Sequence, residues 1–158
     1  MRSTAQIAGH PVHPMLIPYP FALLSSAMAF DVGALVTGRD SWGRTASHVS
    51  NVGLASGVVA AIPGIIDYFG TVPRHTKARQ SATQHALLNV SALACFGLAE
   101  SKRREDGTLP RVGLALEVIG TGLLSISGWL GGELVYHDHV AVVEDSSTAQ
   151  SAASRPAV

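Results

Sequence analysis

The stretch Leu16–Leu35, LIPYPFALLSSAMAFDVGAL, decides the fold. It is as long as a helix that crosses a bilayer, about 20 mostly apolar residues. Ser25, Ser26 and Asp31 are its only conspicuous polar groups. A helix of a soluble bundle keeps one polar face towards water, and this one has none. Soluble four-helix packing is rejected on that ground, and an integral membrane protein is expected.

Working outward, three further stretches have the same character. The spans fall at about Met15–Thr37, Ala46–Phe69, Ala82–Ala99 and Val112–Tyr136. Short polar segments separate them, so neighbouring helices should run antiparallel. The expected fold is all-α, an up-down-up-down four-helix transmembrane bundle over residues 1–143. The Ser-, Thr-, Ala- and Gln-rich tail 144–158 is expected to be disordered. No sequence repeat stands out at any fixed period. Composition agrees with the membrane reading: 47% of residues are hydrophobic and 14% charged, against roughly 25% charged in soluble proteins. Mean hydropathy is +0.28. Formal net charge is zero, which gives no reason to expect a nucleic-acid partner. The single cysteine, Cys95, excludes an intrachain disulfide. Residues 1–9 have no compact apolar core ending in a cleavage site, so no removable signal peptide is expected.

Loops one and three carry Arg39, Arg44, Lys102, Arg103, Arg104 and Arg111; the opposite side carries Arg74, Lys77 and Arg79 near the membrane. The positive-inside rule then places loops one and three in the cytoplasm and both termini outside a bacterial inner membrane. Small residues predict where helices approach each other. Gly53, Gly57, Ala60, Gly64 and Asp67 form one stripe of span two, and Thr121, Ser125, Gly128 and Gly132 a similar stripe of span four. Pro63 is expected to bend span two.

Histidines collect at one end. His10, His13, His75, His85, His137 and His139 all fall on the same side of an antiparallel bundle, and only His48 falls on the other. Gly9-His10-Pro11-Val12-His13-Pro14 is expected to hold imidazoles on stiff, non-helical backbone at the membrane boundary. His85 and Asn89, at i and i+4, place two polar groups on one face of span three. Polar groups at that depth face the bundle interior. Asp67 approaches the same level, so His13, Asp67, His85 and Asn89 are expected to converge from three helices.

Imidazole is the commonest side chain on transition metals and on haem iron, and a nearby carboxylate or amide fixes its tautomer. His13, His85, Asp67 and Asn89 are the candidate cofactor residues. His10, His13, His85 and His137 are the candidate metal ligands. Haem b is the expected cofactor, otherwise a transition-metal ion, with no cofactor as the remaining alternative. The competing reading makes the histidines interfacial anchors and pairs Asp67 with Arg74 or Arg79. Two deeper acids, Asp31 and Glu117, need a partner or a proton. Arg39, Arg44, Arg111 and each other are the candidates, with a proton-coupled transporter as the weaker alternative. GxSxG, Walker, HExxH and CxxC motifs are lacking, which speaks against a freestanding hydrolase.

Four motifs resemble a bacterial family of small predicted membrane proteins catalogued as a domain of unknown function. They are the His10-Pro11-Val12-His13-Pro14 opening followed by Pro18 or Pro20, Asp67-Tyr68, His85 with Asn89, and the closing Gly128-Trp129-Leu130-Gly131-Gly132-Glu133-Leu134-Val135-Tyr136. The resemblance spans about His10 to Val143 and implies a four-helix membrane protein. Some relatives are fused to Rieske-type iron–sulfur domains, which implies a role beside electron transfer. This chain has no cluster ligands of its own. Relatives carry glycine near position 139, so His139 is a departure. The expected function is accessory to membrane electron transfer, with a redox partner protein or quinone. The alternative is a non-enzymatic scaffold or assembly subunit, homo- or hetero-oligomeric, docking through its glycine stripes.

Overall fold

The computed structural model describes residues 2–138 and 140. The tail 144–158 and His139 lie outside the described residues. A two-residue hairpin opens the chain: β1 (Gln6–Ile7) pairs antiparallel with β2 (His10–Pro11). Ala8 and Gly9 between them both have positive φ, 50° and 82°, the backbone of the tight hairpin turns that suit strand twist. Five elements follow as helices: α1 (Val12–Leu16), α2 (Pro18–Thr37), α3 (Asp40–Gly70), α4 (Lys77–Glu100) and α5 (Arg111–Tyr136). Four helical stretches, counting α1 and α2 as Val12–Thr37, are long and apolar enough to cross a membrane.

Local chemistry explains the boundaries. Pro18 and Pro20 lie in the first turn of α2, where a missing N–H costs nothing. Gly38 ends α2 in the left-handed conformation, its N–H bonded to the Ala34 carbonyl. The hydroxyl of Thr76 accepts from the Arg79 N–H at 3.2 Å and caps α4. Helices therefore start before the apolar stretches do, at 40 rather than 46 and at 77 rather than 82. Hydropathy locates the lipid-crossing part of a helix but not its polar first turns.

The helices form an antiparallel bundle in which α2 packs most extensively on α3, and α4 on α5. Val58, Ile62, Ile65, Leu87, Val90 and Ile119 point outward and are exposed, as lipid contact requires. Tyr19, Trp129 and Tyr136 stand exposed at one end and Trp42 at the other, where amphipathic rings sit at membrane interfaces. Leu24, Ala92, Phe96 and Leu124 make a buried apolar layer across the middle.

The two helix pairs repeat each other's contacts. A side chain on Gly53 would strike Leu24, and one on Gly120 would strike Phe96. A side chain on Gly64 would strike the His13 ring, and one on Gly131 would press on the His85 ring. The offset is 72 residues for His13/His85 and Leu24/Phe96, and 67 for Ser50/Glu117, Gly53/Gly120, Ala60/Ser127 and Gly64/Gly131. Because the second pair is five residues shorter between equivalent positions, no fixed period exists for a sequence comparison to find. Two hairpins running in the same sense are thus related by an approximate two-fold rotation about the bundle axis, the parallel kind of membrane repeat.

The small-residue stripes divide. Gly53, Gly57, Ala60 and Asp67 of α3 are buried as expected, Gly57 beneath Leu93. In α5 the inward face is Gly113, Glu117, Gly120, Leu124, Ser127 and Leu134. Ser125 and Gly128 face outward, and the space beside Gly128 is open. The choice of face in α5 is a correction: its inner positions include large residues, which a search for small ones passes over.

Candidate functional site

Prolines do not keep His13 off the helix, as the sequence reading expected. His13 is the second residue of α1, with Pro14 third, positions that tolerate proline. The ring crosses to α3, where Nδ1 lies 2.8 Å from the Ala60 carbonyl oxygen. Since a carbonyl only accepts, Nδ1 carries the hydrogen and Nε2 is left as the acceptor nitrogen. The bare backbone of Gly64, one turn beyond Ala60, makes room for the ring. An added Cβ would lie 2.9 Å from ring atoms.

His85 repeats this arrangement from α4 to α5. Its Nδ1 lies 2.9 Å from the Ser127 carbonyl oxygen and 3.0 Å from the Ser127 hydroxyl, and its ring rests over Gly131. The same tautomer follows. Nε2 accepts from the Asn89 amide at 3.0 Å. The two rings lie 6.1 Å apart, centroid to centroid, with planes at 89°. His85 is eight residues into α4, about 12 Å along the helix at 1.5 Å per residue. Both imidazoles are half-buried, and Val72, Ala78, Ala82, Leu134 and Val140 form a buried apolar cluster against Tyr68.

Three of the four candidate cofactor residues therefore meet: His13, His85 and Asn89. Asp67 does not join them. Its carboxylate accepts from the Ser3 hydroxyl at 2.8 Å, the Thr4 and Ala5 N–H groups at 2.8 and 3.0 Å, and the Thr71 hydroxyl at 3.0 Å. It ties the N-terminal arm to the end of α3. Nor does it pair with Arg74 or Arg79. Arg79 stacks its guanidinium 3.4 Å above the Tyr68 ring and donates to the Tyr68 and Val72 carbonyls.

His10 is exposed on the hairpin and His137 is exposed at the end of α5, 3.8 Å from Glu133. Neither reaches the His13–His85 pair, and His48 and His75 are exposed as well. No group of three or more His, Cys, Asp and Glu side chains that could hold a metal ion forms among the described residues.

The other end carries what the sequence reading missed. Asp31 and Glu117 do meet a base there, but it is Arg103, not Arg39, Arg44 or Arg111. Nη1 and Nη2 of Arg103 each lie 2.7 Å from an Asp31 oxygen, and Nε lies 2.9 Å from Glu100. Glu117 stands 3.6 Å from Nη2. Arg103 belongs to the loop after α4. Turns at Arg103 and Gly107, whose N–H groups bond to Glu100 and Arg104, fold that loop over the bundle. Gly107 has φ +92° and lies against Gly43, where any side chain would collide. The only sequence signal was the run Lys102-Arg103-Arg104 beside two membrane acids.

Together these define a class: a multi-pass helical membrane protein, built as two like hairpins, with a polar cluster at each end and an apolar layer between. The chain belongs to the family described as predicted membrane protein (DUF2231), whose sequence profile matches residues 9–144. No curated protein and no solved structure matches it.

Proposed function

We propose that His13 and His85 hold haem b, or failing that a transition-metal ion, and that the protein is accessory to electron transfer in a bacterial inner membrane. One observation carries this. Two imidazoles, presented by equivalent positions of two like hairpins, each give Nδ1–H to a main-chain carbonyl and leave Nε2 as the nitrogen with a lone pair, which in His85 accepts from Asn89. Metal-bound histidines are oriented in this way by their outer partners. The two rings lie 6.1 Å apart, centroid to centroid, so both imidazoles could hold one group between them.

The donor set favours haem over a bare ion. Only two protein ligands meet here, whereas structural and catalytic metal ions commonly take three or four. Haem iron needs only axial ligands from the chain. Bound there, it would supply a one-electron carrier within the membrane. The chain's own contribution is orientation. The carbonyls of Ala60 and Ser127 fix the rings, Gly64 and Gly131 give them space, and Asn89, which donates to Nε2 of His85, would turn aside for a ligand. With loops one and three cytoplasmic, the site lies at the extracytoplasmic end, where a quinone or a redox partner protein would exchange electrons with it.

Absorbance of the protein purified in mild detergent tests the reading. A reducible Soret band, lost in both His13→Ala and His85→Ala, is expected. No chromophore and no stoichiometric metal, in protein purified after growth with haem precursor and metals, would end it. A second reading, a scaffold subunit, draws support from the outer face of α5. There Gly122 and Gly128 leave open space beside an exposed Trp129. In that case Gly128→Leu abolishes co-purification with a partner membrane protein, while His85→Ala changes nothing.

A further inference from the structure

At the opposite end one guanidinium serves three carboxylates. Of Arg103's five N–H bonds, two go to Asp31, one to Glu100, and Nη1 also reaches the Gly107 and Gly43 carbonyls at 3.1 and 3.4 Å. Glu100 accepts further from the hydroxyl of Ser47, and from Asn51 at 3.3 Å. Glu117 receives none of this. It is 0% exposed, and neither of its oxygens has a hydrogen-bond partner among the described residues. Its distance of 3.6 Å from Nη2 is beyond a hydrogen bond.

An ionised carboxylate without hydrogen bonds in a lipid-embedded core is untenable, and the one positive charge is already matched by Asp31 and overmatched by Glu100. A neutral carboxylic acid removes the conflict. A metal cation does not: both Asp31 oxygens are engaged, and the guanidinium repels a cation at Glu117.

We infer that Glu117, with Asp31, is a proton-binding site that fills from the compartment facing loops one and three. A cavity of about 220 Å³ lies at that end, walled by Asp31, Ala34, Arg39, Asp40, Gly107 and Arg111 among others. Asp31 lines this cavity and shares Arg103 with Glu117, so the proton passes between water in the cavity and the Glu117 carboxyl along the Asp31 side of the cluster. On release the acid becomes carboxylate and the proton goes to that water; uptake is the reverse.

The route stops inward. Ser50, at the position equivalent to Glu117, and Thr121, one turn deeper on α5, have buried hydroxyls without partners among the described residues. Beyond them lies the layer of Leu24, Ala92, Phe96 and Leu124. Ser127, at the histidine site, is ten residues from Glu117, about 15 Å along α5. The charged groups facing Glu117 are Asp31 from α2, Glu100 from the end of α4, and Arg103 from the loop. The inward face of α3 at this level presents Gly43, Ala46 and Ser50, with Arg39 and Asp40 at the cavity wall and Arg111 at the start of α5.

Infrared spectroscopy of the purified full chain in lipid nanodiscs tests this. A carbonyl-stretch band of a protonated carboxylic acid is expected at neutral pH, shifting on transfer to D2O and vanishing reversibly at alkaline pH. It should be absent in Glu117→Gln and present in Glu105→Gln, an exposed loop control. Ala34→Phe, which fills the cavity, should slow the D2O shift several-fold. No band at neutral pH, a band unmoved by D2O, a band surviving in Glu117→Gln, or an unchanged rate in Ala34→Phe overturns the inference. Should Glu117→Gln fail to fold, the wild-type D2O shift and alkaline loss decide it.

Discussion

The two ends of this bundle use the same architecture in opposite ways. At one end the repeat places like with like: His13 and His85 stand at equivalent positions, each over a glycine and each bonded to a carbonyl one turn before it. At the other it places unlike with unlike: Ser50 is equivalent to Glu117, and Arg103, from the loop after α4, binds Asp31. Identical neutral groups around a two-fold axis suit a ligand with two equivalent faces. Complementary charges suit a closed ion pair, and the leftover acid needs a proton. Two like hairpins thus give a symmetric site where their side chains are alike and an asymmetric one where they differ.

The comparison breaks most visibly at Arg103. Arg103→Ala strands buried carboxylates and should cost about 3–5 kcal/mol, read as a large loss of thermal stability in detergent. Arg103→Lys keeps the charge but not the paired hydrogen bonds to Asp31, and should recover only part of it. If Arg103→Ala melts like wild type, the hub assignment fails.

Next comes Asp67, which anchors the arm leading to His13. Asp67→Ala removes four donors' acceptor and should cost about 2–3 kcal/mol. It should also expose residues 2–11 to limited proteolysis while leaving the Arg103 end intact. Protection of that arm in the variant would refute the anchor.

A smaller effect sharpens the symmetric end. Ser127→Ala removes a hydroxyl from His85 Nδ1 but not the carbonyl, so a loss of about 1 kcal/mol is expected. Gly64→Val and Gly131→Val should displace their rings. If the proposed cofactor is bound, both should lower its occupancy, and an effect of one without the other would deny the equivalence of the two halves.

The smallest lies in the loop that carries Arg103. The Thr108 N–H, 2.8 Å from Asp106, holds the Asp106 carboxyl below its usual range. A depressed folded-state value stabilises above the unfolded pKa and is lost as pH falls through the folded one. Asp106→Ala should therefore lower stability slightly at neutral pH and leave it unchanged at low pH, so that the acid limb flattens. An unaltered acid limb would remove this turn from the account.

Much of this was legible in the residues. Apolar length gave four spans, short connections gave their alternation, and an even number of crossings put His13 and His85 at one end. Asn89 beside His85 followed from i, i+4 spacing. Asp67 was misassigned because its partners are main-chain N–H groups of Thr4 and Ala5, which carry no sequence signature. Arg103 was passed over because loop arginines read as interfacial charges until a turn folds one inward. The repeat was hidden by unequal spacing between its two halves.

The sequence by itself determined that this chain lies in a membrane as alternating helices with imidazoles at one end, because hydropathy and residue count act locally and additively along a chain. The tertiary structure alone decided which nitrogen of each imidazole bonds to a main-chain carbonyl, which arginine meets the buried acids, and which acid has no hydrogen-bond partner among the described residues. Those outcomes depend on distances between segments some seventy residues apart, such as the 72 separating Asp31 from Arg103, and only packing sets such distances.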